Sequence, residues 1–85
     1  MILNKWNYKK HIYEPFEVPD DRDVRLYVND LTEVINCANC GKSIVAGDTY
    51  TSLTIHNRFG LGYCVCEECY EDERKDRLKY KEKKR

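Results

Sequence analysis

The chain has 85 residues, of which 15 are basic and 15 acidic, so it carries no formal net charge at pH 7. This length excludes a multidomain enzyme, because an independent core usually needs about 50 to 200 residues. The zero net charge gives no global attraction to nucleic acid or membranes. No stretch is apolar enough for a membrane span or a signal peptide, so the sequence predicts a single cytoplasmic domain without membrane contact.

The N-terminal part, residues 1–35, is expected to form an extended or β segment that packs on the rest of the domain. Residues 5–19 carry four aromatic side chains, but Pro15 and Pro19 interrupt them and no helical period is present. This pattern indicates an extended arm or an edge strand. Residues 24–28 alternate in polarity and predict a further strand.

Five cysteines are the most informative feature, and four of them form two Cys-x-x-Cys pairs. Without an export signal, paired cysteines indicate thiolates bound to metal rather than disulfides. The first pair is typical of a zinc knuckle, in which Gly41 permits a tight left-handed turn. The second pair begins a predicted helix, whose positive end stabilises thiolates. The predicted ligands are Cys37, Cys40, Cys66 and Cys69.

Four thiolates complete the tetrahedral shell of a zinc ion and leave no open position for water. The sequence therefore predicts one structural Zn²⁺ and no enzymatic activity. Its binding would supply much of the folding free energy that a core this small lacks.

The segment between the two pairs predicts a hairpin, and the segment after them predicts a helix. Residues 49–56 alternate and are rich in β-branched side chains, and Gly60 and Gly62 then favour a turn back to the second pair. From residue 67 onward no Gly, Pro or β-branched residue occurs, which favours a helix.

The order of knuckle, hairpin and helix predicts a small zinc-bound α+β domain of treble-clef-like architecture. Its zinc-binding unit spans residues 36–72, and residues 73–85 form a charged helical tail. A zinc ribbon is the alternative, but its second pair would lie in another knuckle. The pairs Glu71 with Lys75 and Glu73 with Arg77, at i and i+4, predict a solvated helix.

Three further residues could serve as metal ligands. Cys64 is interpreted as a small buried hydrophobe, with an alternate ligand or a reactive thiol as the other possibilities. His56 and His11 could replace a thiolate, but neither lies at a characteristic spacing from a cysteine pair.

A structural metal leaves function to the surface. Residues 14–33 contain seven acids against two bases and form an acidic stretch that could dock on a basic groove. The aromatic arm of Trp6, Tyr8, Tyr13 and Phe16 has the residue types that anchor protein interfaces, although it could equally build the core.

Several motifs together resemble a known family: residues 13–21, 26–27, 36–42, 47–52, 55–56 and 62–70. They are similar to a small zinc-binding protein found in phages and prophages of streptococci and related Gram-positive bacteria. The resemblance spans nearly the whole chain. The family also resembles a source of anti-CRISPR proteins directed at type II RNA-guided nucleases. The resemblance therefore implies a phage-encoded inhibitor of host defence that works in the bacterial host cytoplasm.

Such an inhibitor would bind a large, basic, RNA-loaded nuclease and block target-DNA loading stoichiometrically. The acidic stretch and the adjacent Tyr13 supply the candidate contacts for this protein partner: Tyr13, Glu14, Glu17, Asp20, Asp21 and Asp23.

The alternative function is a nucleic-acid-binding or transcription-associated zinc finger. It would place the bases of the tail against phosphate: Lys75, Lys79, Lys81, Lys83, Lys84 and Arg85. Direct nucleic-acid binding is not expected, because few other bases support it and a zinc ion bound by four thiolates is itself negatively charged.

Overall fold

The computed structural model describes residues 1–81, which form six strands, a short 3-10 turn and one α-helix. The protein is therefore a small α+β structure, as the sequence predicts. The strands are β1 (Ile2–Asn7), β2 (Ile12–Glu17), β3 (Val34–Asn36), β4 (Ser43–Val45), β5 (Tyr50–His56) and β6 (Gly62–Val65). The 3-10 turn covers Ala46–Asp48 and the helix α1 covers Glu67–Lys81.

Four strands form an antiparallel sheet in the order β2-β1-β5-β6. The predicted N-terminal arm is thus a hairpin, in which β2 is an edge strand of the sheet. Pro15 lies in this edge strand, where a missing N–H group is tolerated. The predicted hairpin between the cysteine pairs is confirmed as β5 and β6. The short strands β3 and β4 form a second, two-stranded sheet.

The predicted strand over residues 24–28 is wrong, because this segment is an irregular loop. Its backbone groups bond to other elements. Cys64 of β6 donates its N–H to the carbonyl of Arg25 at 2.8 Å, and Asn36 donates its N–H to the carbonyl of Asp23 at 2.9 Å. The Asn36 side chain in turn accepts the N–H of Asp23 at 2.8 Å. Side-chain acceptors of this kind compete with a regular strand ladder.

The buried core is small, as the low mean hydropathy of −0.79 predicts. Among the described residues, the largest fully buried side chains are Ile35, Ile55, Val18, Val65 and Cys37, and none of them is aromatic. Phe16 packs against the main core, whereas half of the Tyr13 residue surface is exposed. The aromatic arm therefore contributes to the core only in part.

The helix α1 packs against β5. Its predicted pairs of Glu71 with Lys75 and Glu73 with Arg77 are wrong. Glu71 instead bonds to Arg74 at 2.9 Å, and Glu73 turns inward and is buried. The end of the predicted helical tail, residues 82–85, lies outside the described residues. Within residues 1–81, no helix has both the length and the apolar character needed to cross a membrane.

Candidate metal centre

The structure brings four cysteine sulfurs together at the junction of β3, β4, β6 and α1. The Sγ atoms of Cys37, Cys40, Cys66 and Cys69 all lie within 4.8 Å of one another. Thiolates at about 2.3 Å from a tetrahedral ion are roughly 3.8 Å apart, and the Sγ atoms of Cys40 and Cys66 are 3.9 Å apart. All four cysteines are free. The cluster is therefore compatible with a structural metal site.

The first pair lies in a tight turn between β3 and β4. Gly41 donates its N–H to the carbonyl of Cys37 at 2.9 Å, and Cys37 donates its own N–H to the carbonyl of Lys42 at 2.8 Å. Gly41 has a φ of 84°, so the left-handed conformation expected at this glycine is present. The turn also places the N–H of Cys40 at 3.5 Å from the sulfur of Cys37.

Arg22 covers this turn from outside, which the sequence did not indicate. Its Nη1 atom donates to the carbonyls of Ala38 and Asn39 at 3.3 and 3.4 Å. A Cβ atom at Gly41 would lie 3.0 Å from the Arg22 guanidinium. The backbone conformation of Gly41 thus favours glycine, and a side chain at this position would also have to displace the Arg22 guanidinium.

The second pair lies at the junction of β6 and α1. Cys66 directly precedes the helix, and its carbonyl accepts the N–H of Tyr70 at 3.0 Å. Cys69 lies in the first turn of the helix, so both sulfurs are near its positive end. The carbonyl of Cys64 accepts the N–H of Ala38 at 3.0 Å, which ties the first turn to β6.

A side-chain relay connects the cluster to β1. Asn39 donates from Nδ2 to the Cys69 sulfur at 3.2 Å, and its Oδ1 accepts a hydrogen bond from Lys5 Nζ at 2.9 Å. Lys5 also lies over the Phe16 ring, 4.8 Å from its centroid. Hydrogen bonds of this kind orient metal ligands and tune their affinity. The sequence analysis predicted no role for Lys5 or Asn39. The position of the polar Asn39 between the two cysteines of the first pair could have indicated a contact with the cluster.

The thiols differ in acidity when no cation is bound. Burial opposes ionisation of Cys37, but the backbone amides of Cys40, Cys66 and Asn39 outweigh it and hold the pKa of this thiol below its ordinary value. Burial raises the pKa of the Cys40 and Cys69 thiols, and the neighbouring Cys37 thiolate raises both further. A bound divalent cation would favour the ionised form of all these thiols at once.

The other candidate ligands lie outside the cluster. Cys64 is buried with Ile35 and Ala46, consistent with its interpretation as a small hydrophobe. His56 bonds through Nδ1 to the hydroxyl of Tyr13 at 3.1 Å, and burial lowers the pKa of its imidazole. His11 lies in the turn between β1 and β2.

The candidate partner contacts do not share one face. Tyr13 and Glu14 are consecutive in β2, so their side chains project to opposite sides of the sheet. Glu14 accepts hydrogen bonds from Asn7 at 3.2 Å and Lys10 at 3.4 Å, which lower the pKa of its carboxyl. Glu17 is exposed at the end of the same strand.

The rest of the acidic stretch is partly neutralised by its own bases. Arg25 bonds to Asp23 at 2.8 Å and to Glu33 at 3.1 Å, which stabilises the guanidinium and raises its pKa. Asp20 bonds to the N-terminal ammonium group at 3.1 Å. Asp21 is exposed. Asp20, Asp23 and Glu33 are therefore already paired within the chain.

Comparison with known proteins found no protein-family model, no curated protein and no solved structure that matches this chain.

Proposed function

We propose that the chain binds one Zn²⁺ through Cys37, Cys40, Cys66 and Cys69, and that this ion fixes a treble-clef-like domain. Support comes from the donor set, since four thiolates suit tetrahedral zinc. The element order also supports it: a turn between β3 and β4 carries the first pair, the β5–β6 hairpin follows, and α1 carries the second pair. A zinc ribbon would place the second pair in another knuckle.

The protein acts by binding another protein and not as an enzyme. The closed four-thiol cluster carries this conclusion, because a filled tetrahedral shell leaves no site for a catalytic water and makes the ion a scaffold. Large side chains that could anchor a partner are exposed on its surface. Tyr27 and Phe59 are each 75% exposed, and Leu61 is 56% exposed.

Phe59 and Leu61 belong to the turn between β5 and β6, which is held in a defined conformation. The side chain of Asn57 accepts the backbone N–H groups of Phe59 at 2.8 Å and of Leu61 at 3.0 Å. An anchor that is ordered before binding loses little conformational entropy when it docks. This geometry supports a protein contact at the hairpin tip.

The partner is a type II RNA-guided DNA nuclease, and the chain is a phage-encoded inhibitor that blocks target-DNA loading. The sequence resemblance supports this identification. Charge complementarity supports it further, because such nucleases hold nucleic acid in positively charged channels and the exposed acids Glu17 and Asp21 could dock there. The inhibitor works in the cytoplasm of the bacterial host, where the nuclease acts.

The alternative, contact between the helix and nucleic-acid phosphates, has weaker support. Lys75 and Lys79 are exposed on α1, but Asp72 and Asp76 are exposed on the same helix. Of the other bases in this hypothesis, Lys83, Lys84 and Arg85 lie outside the described residues. A helix of mixed charge attracts phosphate weakly.

The experiment is a cleavage assay with a purified, guide-loaded type II nuclease. The zinc-loaded protein is added at increasing concentration before or after the target DNA. We expect inhibition that saturates near one inhibitor per nuclease, and much weaker inhibition when the DNA is bound first. Full cleavage in the presence of a large excess of inhibitor would overturn the proposal, as would inhibition by catalytic amounts.

The contact residues are best tested by reversing the charges of Glu17 and Asp21. Asp23 is unsuitable for this purpose, because it holds Arg25 at 2.8 Å. The double variant Glu17→Lys/Asp21→Lys should inhibit at least tenfold less well than the wild type. Its matched control is Asp48→Lys/Glu67→Lys, which reverses two exposed charges elsewhere and should inhibit within twofold of the wild type.

A further inference from the structure

The four cysteines of the cluster differ in their access to solvent. Cys37 is completely buried at 0% exposure, and Cys66 and Cys69 are only 3% and 8% exposed, whereas Cys40 is an exposed residue. Oxidation and alkylation of a thiol depend on its accessibility as well as on its ionisation. Of these four cysteines, Cys40 is therefore the first that a small reagent in solution reaches.

A cavity of about 280 Å³ lies beside Cys40, and Arg22 and Gly41 line it as well. The Nη1 atom of Arg22 bonds to the carbonyls of Ala38 and Asn39, which keeps the guanidinium against the turn. Arg22 forms no ion pair with any residue in the described part of the chain. Its positive charge is therefore available to a small polar molecule that enters the cavity.

A second cysteine lies within reach of Cys40. The Sγ atoms of Cys40 and Cys66 are 3.9 Å apart, and a disulfide bond of about 2.05 Å requires them to approach by roughly 2 Å. Cys40 belongs to the turn between β3 and β4, and Cys66 directly precedes α1. An accessible thiolate beside a second cysteine is the arrangement found in redox-sensing cysteines.

We infer that hydrogen peroxide oxidises this protein at Cys40, and that Cys66 then forms a disulfide with it. Both sulfurs are thiolates when they bind a metal ion. The Cys40 thiolate attacks one oxygen of the peroxide and the O–O bond breaks, which gives a sulfenic acid and a hydroxide that takes up a proton. The Cys66 thiolate then attacks the Cys40 sulfur, the S–O bond breaks, and a second hydroxide leaves and takes up a proton. The two thiolates lose two electrons in all, and these reduce one peroxide to two water molecules.

Arg22 promotes the first of these steps. Its guanidinium donates a hydrogen bond to the oxygen that leaves as hydroxide, where negative charge develops. After the disulfide has formed, only Cys37 and Cys69 remain as thiolates, and two thiolates do not complete a tetrahedral zinc site. Oxidation therefore releases the metal and destabilises the fold. This inference rests on the proposed zinc site and is independent of the proposed partner.

The experiment treats the zinc-loaded full chain, whose zinc content is measured first, with less than one equivalent of hydrogen peroxide. A coloured chelator follows the released zinc, the remaining thiols are blocked, and tandem mass spectrometry maps the disulfides. We expect one zinc ion released for each Cys40–Cys66 disulfide. A disulfide between any other pair, or zinc release without a disulfide, would overturn the inference. A chain that contains no zinc at the start but still forms the Cys40–Cys66 disulfide would contradict only the proposed metal site.

Alkylation of the same protein tests which cysteine reacts first. Less than one equivalent of iodoacetamide should label Cys40 at least tenfold faster than Cys37, Cys66 or Cys69, because accessibility controls the rate. Similar labelling of the four cysteines would overturn the assignment of Cys40 as the first site of attack.

The role of Arg22 is tested with Arg22→Gln. This variant should react with hydrogen peroxide at least fivefold more slowly than the wild type, because it lacks the charged donor. Its alkylation by iodoacetamide should not become slower, whereas a merely structural effect would change both rates alike. The matched control is Arg58→Gln, since Arg58 lies over the Phe59 ring in the turn between β5 and β6, and its peroxide rate should stay within twofold of the wild type. An unchanged peroxide rate in Arg22→Gln would contradict the role of the guanidinium.

Discussion

The buried carboxylate of Glu73 accepts a hydrogen bond from the Ser52 hydroxyl at 2.6 Å, and this contact joins α1 to β5. The same carboxylate accepts the backbone N–H of Leu53 at 2.7 Å and the hydroxyl of Thr54 at 2.6 Å. Three donors thus converge on one buried charge. Among the described residues, every buried side-chain nitrogen or oxygen has a partner. The helix that carries Cys69 is therefore fixed to β5 by a polar contact, in addition to its place in the cysteine cluster.

Replacing Glu73 with alanine should lower the free energy of unfolding by about 3 kcal/mol, because three buried donors lose their acceptor. Glu73→Gln should cost less, since its amide oxygen still accepts and the two hydroxyls can rotate to accept from its NH₂ group. Chemical denaturation with zinc in excess measures both values.

The control for Glu73 is Glu71→Ala. Glu71 forms an exposed pair with Arg74, and such pairs contribute little, so the loss should stay below about 0.5 kcal/mol. Similar losses for Glu73→Ala and Glu71→Ala would contradict the role of the buried carboxylate.

The relay from Lys5 through Asn39 to Cys69 should increase the affinity of the site for zinc. Asn39→Ala removes the donor to the Cys69 sulfur and should weaken zinc binding about tenfold. Competition with a coloured chelator measures the affinity. Lys42→Ala is the control, because Lys42 pairs with Glu68 in solvent and should leave the affinity within about threefold. An unchanged affinity in Asn39→Ala would show that the relay does not act on the metal.

Two glycines, Gly41 and Gly60, have the same backbone conformation. Alanine substitutions at these positions therefore distinguish the cost of backbone strain from the cost of a steric contact. Gly41 has a φ of 84° and Gly60 a φ of 85°, but a Cβ atom at Gly41 would meet Arg22 at 3.0 Å, whereas one at Gly60 meets nothing within 4 Å. Gly60→Ala should therefore cost about 1 kcal/mol from the left-handed conformation alone. Gly41→Ala should cost clearly more and should also weaken zinc binding. Thermal and chemical unfolding measure the loss of stability in both variants. Equal losses would show that the contact with Arg22 does not destabilise Gly41→Ala.

The imidazole of His56 should make stability depend on pH. Burial lowers its pKa from the ordinary 6.5, while Glu73 on α1 partly opposes this and Tyr13 on β2 bonds to the ring. Below pH 6.5 the unfolded chain takes up the proton first, so the free energy of unfolding falls as the pH drops from this value through the folded pKa. At higher pH this contribution is fully present.

Nuclear magnetic resonance titration of the zinc-loaded protein measures the pKa of His56 directly, with His11→Gln used to assign the signals. The variant His56→Gln should lose less stability between pH 7 and pH 5 than the wild type. The prediction fails if His56 titrates at or above its ordinary value.

Local patterns predicted most of the regular structure. The β-branched alternation before Gly60 and the uninterrupted helix formers after Cys66 correspond to β5, β6 and α1. The spacing of the cysteines also predicted which four converge. These features are local, because each depends on the residues of one short segment.

Contacts between distant segments were missed. Alternation in residues 24–28 suggested a strand, but the Asn36 side chain and the backbone of β6 bind this segment as a loop. The sequence predicted an exposed helical pair of Glu73 with Arg77. Glu73 is instead buried because its carboxylate accepts hydrogen bonds from β5, which is distant in the chain. The composition of residues 14–33 likewise could not show that Arg25 pairs with both Asp23 and Glu33.

The most direct test of the account measures metal content and fold together. Native mass spectrometry of the purified protein should find one zinc ion per chain. Removing it with a strong chelator should collapse the amide signal dispersion of residues 36–72, and Cys40→Ser should weaken zinc binding strongly while Cys64→Ala retains one ion. A protein that contains no zinc and keeps its dispersed spectrum in the chelator would contradict the central claim that the metal holds this fold.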